Sequence, residues 1–325
     1  MKTKTEKTAV AIVISLLVTG LLAGTFFDLN ISRALADLKN GSYLSKNPFG
    51  RFFETVGETP VYFVCVFSAT VTFHYFRRKS GAVKWTGAIL SALIVAGLSY
   101  YGIYKFFKYI GEHTGSYEKL TSFSAKTCYI TAAALNTALA AYFGEKIPES
   151  FILRVVKVCF VILLTALFSQ VITTLFKKLA GRPRYRAMYV ADYNGMSAEG
   201  FSLFRRWYEF FGYVRKPSDA LIGLGVVASD AYKSFPSGHS SSAAMIIVLN
   251  AFPALFPKTD KRWIKITVFA FSALYVLAVM LSRIVVGAHF LSDVVSGTLI
   301  TVVCFYLSEY IVNHIKPLAA MPGIQ

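Results

Sequence analysis

Apolar runs of roughly 20 residues recur along the chain, each about the length a helix needs to cross the hydrocarbon core of a bilayer. We read eight, at about 9–26, 60–76, 86–104, 127–143, 155–176, 240–256, 264–282 and 289–311. A segment in lipid must satisfy its own backbone hydrogen bonds, so each run is expected as a helix and the fold class as an all-α polytopic membrane bundle. Residues 127–143, rich in Ala and Thr, read equally as a buried or interfacial helix. The first run follows the basic stretch MKTKTEK as a signal peptide would, but no clear small-residue cleavage site follows it, and we read it as a span.

Of the 325 residues 55% are hydrophobic and 16% charged, too oily a balance for an ordinary soluble domain. The formal charge is +17, yet the basic residues sit in short loops between runs and form no separate basic domain. That pattern points to lipid headgroups or phosphates as partners and away from nucleic acid. Cys65, Cys128, Cys159 and Cys304 all fall inside apolar runs without metal-ligand spacing and are expected as free, packed thiols.

If the eight runs alternate, both termini share one side with 77–85, 144–154 and 257–263. Raw Lys and Arg numbers favour the opposite side, whose loops are longer; by density the terminal side is the more basic and is expected to be cytoplasmic. Residues 27–59, 105–126, 177–239 and 283–288 then lie outside.

Three polar elements fall at ends of runs on that outer side. The first is Lys177-Lys-Leu-Ala-Gly-Arg-Pro-Arg184. Alone it reads as basic side chains snorkelling from a span end, but Gly181 and Pro183 should break the helix and let Lys177, Arg182 and Arg184 turn toward a common anion. The second is Pro236-Ser237-Gly238-His239, either a plain helix cap or a helix entry that aims N–H groups and a hydroxyl at an anion. The third is Ser282 to Asp293, in which His289 and Asp293 are spaced to share a helical face. A carboxylate beside an imidazole fixes its tautomer, although polar groups of this kind also glue helices together. Two histidines, a carboxylate, several cations and a helix entry on one side fit phosphoryl transfer.

These elements together resemble the type 2 phosphatidic acid phosphatase family, which also includes bacterial lipid phosphatases, glucose-6-phosphatase and vanadium haloperoxidases. Its pattern is Lys, six residues, Arg-Pro; then Pro-Ser-Gly-His; then Ser-Arg, five residues, His, three residues, Asp. Lys177 and Arg184 fit the first element, with Tyr185 in place of the proline; the second and third are complete. The resemblance implies that His289 attacks phosphorus to give a phosphohistidine, that Asp293 orients it, and that His239 serves as general acid and then base. Lys177, Arg184, Ser237, Gly238 and Arg283 would bind the phosphate, with no metal or other cofactor.

The implied organisation is an N-terminal transmembrane hairpin with an outer loop at 1–85, a phosphatase core at 86–313, and a cytoplasmic tail at 314–325. The expected substrate is a membrane lipid phosphate of the undecaprenyl diphosphate, phosphatidate or phosphatidylglycerophosphate class, processed at the outer face of the plasma membrane. Within the core, 185–235 is an aromatic and basic loop. Its segment from Phe201 to Lys216, including Phe211, Tyr213 and Arg215, reads as an amphipathic interfacial helix that either lids the site or rests on the membrane. A transporter or a non-hydrolysing phosphate-lipid binder is the rival reading. A transporter would place its charges near the bilayer midplane, whereas these gather at one face.

Overall fold

A computed structural model describes residues 4–210, 216–256 and 258–314. Among the described residues all regular structure is helical. In chain order the helices are α1 (Lys4–Leu35), α2 (Pro48–Val56), α3 (Thr59–Arg77), α4 (Gly81–Thr114), α5 (Tyr117–Leu120), α6 (Phe123–Gly144) and α7 (Glu149–Ala180). After them come α8 (Tyr185–Tyr193), α9 (Asp219–Gly223), α10 (Gly238–Ala244), α11 (Phe252–Leu255), α12 (Arg262–Val285) and α13 (Leu291–His314). Short 3-10 turns lie at Ser197–Glu199, Phe201–Leu203 and Met245–Ala251.

The expected helical membrane bundle forms. Among the described residues six segments are long and apolar enough to span: Ala11–Leu35, Pro48–Arg77, Gly81–Thr114, Glu149–Tyr193, Arg262–Val285 and Leu291–His314. Leu16, Phe26, Leu93, Leu167, Leu274 and Val303 stand exposed on them, as lipid-facing side chains must. The two remaining expected runs differ. Residues 127–143 lie in α6, which falls short of the spanning criterion that those six meet. Residues 238–255 are helical throughout but pass from α10 into 3-10 geometry and then α11. Pro253, in this stretch, has no N–H to give the Leu249 carbonyl, and the Asn250 side-chain amide donates to Ile247 O at 2.8 Å.

The chain divides into two compact units, each discontinuous in sequence. One comprises the described residues of Met1–Gly57, Ser169–Ala244 and Tyr275–Val302. Its core has Tyr43, Val190, Leu221 and Tyr232 in one cluster and Tyr185, Met188 and Phe290 in another. The other comprises Glu58–Phe168, Met245–Leu274 and the described part of Val303–Gln325. There α3 packs on α4 and α4 on α6, and a core cluster joins Val71 and Tyr75 of α3 to Val155 and Cys159 of α7. All four cysteines are free; Cys128, unlike the other three, is exposed.

Local chemistry sets the boundaries that matter for the first unit. Asn47 caps α2 by accepting from Gly50 N at 3.0 Å, and Pro48 occupies the first turn, where its missing N–H is harmless. Gly181 ends α7 at φ +55°, a left-handed turn that favours glycine, and the chain departs through Pro183. That break was legible in the sequence. The segment from Phe201 is not the expected amphipathic helix where it is described. Phe204 packs edge-on to Phe290 and Trp207 stacks on Phe235, 5.4 and 6.0 Å between centroids, so neighbouring rings are anchored on separate partners. Glu209 also accepts from Arg206 N at 2.9 Å, closing a local turn in place of a helical one. Phe211, Tyr213 and Arg215 lie outside the described residues, as does the tail beyond His314.

Gly297 on α13 is where the turn before α10 lies closest to the helix. A Cβ there would sit 2.3 Å from the Ser237 carbonyl oxygen. Gly297→Ala is therefore expected to destabilise the fold by about 1–3 kcal/mol, read as a lowered thermal midpoint in detergent.

Candidate active site

Every residue singled out by the three sequence elements lies in the first unit, where the break after α7, the start of α10 and the turn between α12 and α13 come together. Asp293, in the first turn of α13, is the hub. Its carboxylate reaches back to Phe290 N at 2.8 Å, as the third residue of a helix does in a capping box, and fixes the turn that carries His289. It also accepts from Ser234 Oγ at 2.5 Å and Arg182 Nη1 at 2.5 Å, while its carbonyl accepts from Ser237 N at 2.9 Å. One residue thereby ties the Pro-Ser-Gly-His turn to the histidine turn.

His289 is fully buried, and its Nδ1 lies 2.6 Å from the carbonyl oxygen of Ser234. A carbonyl only accepts, so Nδ1 carries the proton and Nε2 the lone pair. The direct hydrogen bond thus goes to Ser234 O, whereas the Asp293 carboxylate stands 3.8 Å from Nδ1. Asp293 holds Ser234, and Ser234 holds the ring. Burial pushes the imidazole well below its ordinary pKa, and the Arg184 and Lys177 charges push the same way against the opposing influence of Asp293. The resulting neutral ring is the form a nucleophile requires.

His239, the second residue of α10, points Nε2 at the backbone carbonyl of Glu54, 3.1 Å away. Ser237 caps the helix, its Oγ accepting from Ser240 N at 3.3 Å and Ser240 Oγ at 3.0 Å, which leaves its own hydrogen to donate. Lys177 Nζ donates to Lys233 O at 3.0 Å, and its Cε is 3.7 Å from where a Cβ on Gly238 would sit.

The arginines divide into two groups. Arg182, which the sequence places with the anion ligands, is not one of them. It is 1% exposed and clamped between Asp28, at 2.9 Å, and Asp293, with further bonds to Ser292 Oγ and Arg205 O and the Phe290 ring 4.3 Å away. Its guanidinium is used up by carboxylates supplied from α1 and α13. Arg184, Arg186 and Arg283 form the other group, linked in a row by two acids. Asp230 takes Arg184 at 2.7 Å and Arg186 in a short contact; Glu54 takes Arg283 at 2.7 Å and lies 3.9 Å from Arg186. Tyr43 completes the row, donating to Asp230 at 2.9 Å with Arg186 over its ring. Burial alone would raise the Asp230 pKa, but Arg184 and Arg186 outweigh it and hold the carboxyl well below the usual carboxylate range.

This row keeps buried nitrogens without hydrogen-bond partners: Nε of Arg184, Nε and Nη1 of Arg186, and Nε and Nη1 of Arg283. Buried guanidinium N–H groups are costly to leave unmet, and each is a donor that an acceptor oxygen would satisfy. Among the described residues no group of three or more His, Cys, Asp or Glu side chains is arranged to hold a metal ion.

Asp28, Tyr43, Glu54, Arg186, Asp230 and Ser234 escaped the sequence reading. Asp28 alone carried a usable signal, as an ionisable residue at the end of an apolar run; such residues are seldom idle in a membrane helix. The others belong to no motif and come near the site only through the fold.

Fold and site together define a multi-pass membrane protein with a buried, arginine-rich polar cluster and a histidine whose pKa is lowered. A family model described as the PAP2 superfamily matches residues 154–316, half of the chain, and the chain belongs to that superfamily. Comparison with curated proteins and with solved structures finds no match. The matched region contains all three motif elements; Asp28, Tyr43 and Glu54 precede it.

Removing one member of a buried ion cluster strands the others. Asp28→Ala is expected to cost about 3–5 kcal/mol, measured by thermal or denaturant unfolding in detergent.

Proposed function

We propose that the protein is an integral-membrane lipid phosphatase that hydrolyses a phosphorylated lipid headgroup through a phosphohistidine. One observation carries the reading: a buried histidine, neutral and with its lone pair on Nε2, stands in the field of Arg184 and Lys177 within a unit where five nitrogens of Arg184, Arg186 and Arg283 lack hydrogen-bond partners.

Nε2 of His289 attacks phosphorus and forms a P–N bond as the ester P–O bond breaks. His239 delivers a proton to the departing oxygen, and the Glu54 carbonyl keeps that N–H oriented until then. Water, deprotonated in turn by His239, attacks the phosphohistidine, releases orthophosphate and restores the imidazole. Lys177, Arg184, Arg283, Ser237 and the Gly238 N–H hold the equatorial oxygens as charge redistributes. Asp293 acts through Ser234 and through the turn at Phe290. The cationic side chains supply the positive charge that a metal would otherwise bring, which supports metal-independent turnover.

Membrane-spanning helices favour a lipid phosphate over a soluble ester, in the undecaprenyl diphosphate, phosphatidate or phosphatidylglycerophosphate class. The density of basic residues supports cytoplasmic termini and a site at the outer face of the plasma membrane. Trp207 bonds Thr25 Oγ1 at 2.8 Å and stacks on Phe235, next to the Pro-Ser-Gly-His turn. That aromatic wall suits a lipid chain and favours a substrate-facing role for the 185–235 loop.

Phosphate release by purified protein in detergent with EDTA, on each of these lipids and on a soluble phosphomonoester, tests the proposal. Wild type should turn over a lipid, and His289→Ala should lose at least about a thousandfold in kcat, as removal of a covalent nucleophile does. No release from any substrate by folded wild type would leave a binding or transport role. The acid limb of the pH profile gives a second check. Protonation removes the nucleophile only once pH falls through the lowered His289 pKa, so that limb should lie below the ordinary histidine value of 6.5.

A further inference from the structure

Glu54 is an odd occupant of a site for anions. It comes from α2, outside the family match, is 5% exposed, and lies between Arg283 and Arg186 with its carboxylate where an anionic ligand group would be welcome. Among the described ion pairs Arg184, Arg186 and Arg283 set three positive charges against Asp230 and Glu54, leaving one in excess. Arg182 adds none to this balance, since Asp28 and Asp293 already enclose it.

A phosphate monoester carries about two negative charges near neutral pH and offers three acceptor oxygens. The five unpartnered nitrogens of Arg184, Arg186 and Arg283 suit one such group. A diphosphate brings more negative charge and a second phosphoryl group, which would have to share Arg186 and Arg283 with the carboxylate that bridges them. The chain's own carboxylate already stands there.

We propose that Glu54 is the specificity-determining residue of this site, confining it to lipid phosphate monoesters by filling the seat that a second phosphoryl group needs. The proposal rests on the phosphatase reading for its catalytic consequence and on anion binding alone for its physical core. Like charges forced together across a buried contact are the usual means of rejecting a wrong ligand.

The test compares wild type, Glu54→Gln and Glu54→Asp. The first readout is the ratio of kcat/KM for phosphatidate to that for farnesyl diphosphate in the same micelles. The second is the rise in thermal midpoint produced by inorganic phosphate and by pyrophosphate. Wild type should favour the monoester by about tenfold or more and be stabilised more by phosphate, since one like-charge contact readily supplies that factor. Glu54→Gln should shrink or invert both preferences, whereas Glu54→Asp, which keeps the charge, should retain them. A wild type that prefers the diphosphate, or that pyrophosphate stabilises as well as phosphate does, overturns the idea even if Glu54→Gln does not fold. Unchanged preferences in a folded Glu54→Gln overturn it as well, and equal behaviour of the two variants would reduce Glu54 to a structural contact. If no variant releases phosphate, the phosphatase reading fails, and the thermal shifts still decide the role of Glu54.

Discussion

The cluster of Arg182 with Asp28 and Asp293 is the constraint on which the site depends. Three ionised groups almost wholly out of water carry a desolvation cost that only close pairing and full hydrogen bonding offset. Both conditions hold. Asp28 accepts from Ser292 N at 2.9 Å as well as from Ser292 Oγ and Arg182, while Asp293 takes Arg182, Ser234 and the Phe290 amide. Such a cluster tolerates little displacement, because each partner is the counter-charge of another. It therefore fixes the end of α1, the break after α7 and the start of α13 together, and the His289 turn with them. The close approach of Gly24 to Ser292, where a Cβ would lie 2.8 Å from the Ser292 nitrogen, belongs to the same arrangement.

Around this fixed point the remaining cations are arranged by a different rule. Three unneutralised guanidinium groups, those of Arg184, Arg186 and Arg283, crowded into a buried space would repel one another and destabilise the fold without ligand. Asp230 and Glu54 relieve that repulsion by bridging neighbouring arginines, yet each bridge engages only part of a guanidinium. The planar fork makes this possible: one edge takes a carboxylate while other N–H groups stay available for an incoming anion. A lysine at any of the three positions would hold its partner but could not present a second edge. Folding without ligand and readiness for one are thus reconciled by the same residues.

How much of this was legible depends on the range of the interaction. The helical membrane class followed from run length, because lipid leaves a spanning segment few alternatives. His239, His289, Asp293, Lys177, Arg184 and Arg283 followed from motif spacing, and the turn at Gly181 from backbone preference. Arg182 was misplaced because nothing within its own segment shows that Asp28, 154 positions earlier, claims it. The expected helix after Phe201 failed for a similar reason: its period suited an amphipathic surface, but Phe290 and Phe235 offered its aromatic rings separate partners. The 240–256 run read as one regular span because hydropathy does not register the helical hydrogen bond that Pro253 cannot make.

The boundary of the family match bears on what counts as the core. The matched residues include Arg182 and Arg283, each 1% exposed, but not Asp28, nor Glu54, the carboxylate that takes Arg283. Without the first 57 residues Arg182 would keep only one of its two carboxylates, Asp293, Arg283 would lose the Glu54 carboxylate, and the His239 ring would lose the Glu54 carbonyl. Buried guanidinium groups in that state are expensive enough to rearrange the site around them. The N-terminal segment, a hairpin of unstated purpose when read as sequence, is therefore as much a part of the polar centre as the motifs are. Its contribution is made of counter-charges to arginines distant in sequence, and that is why no motif announces it.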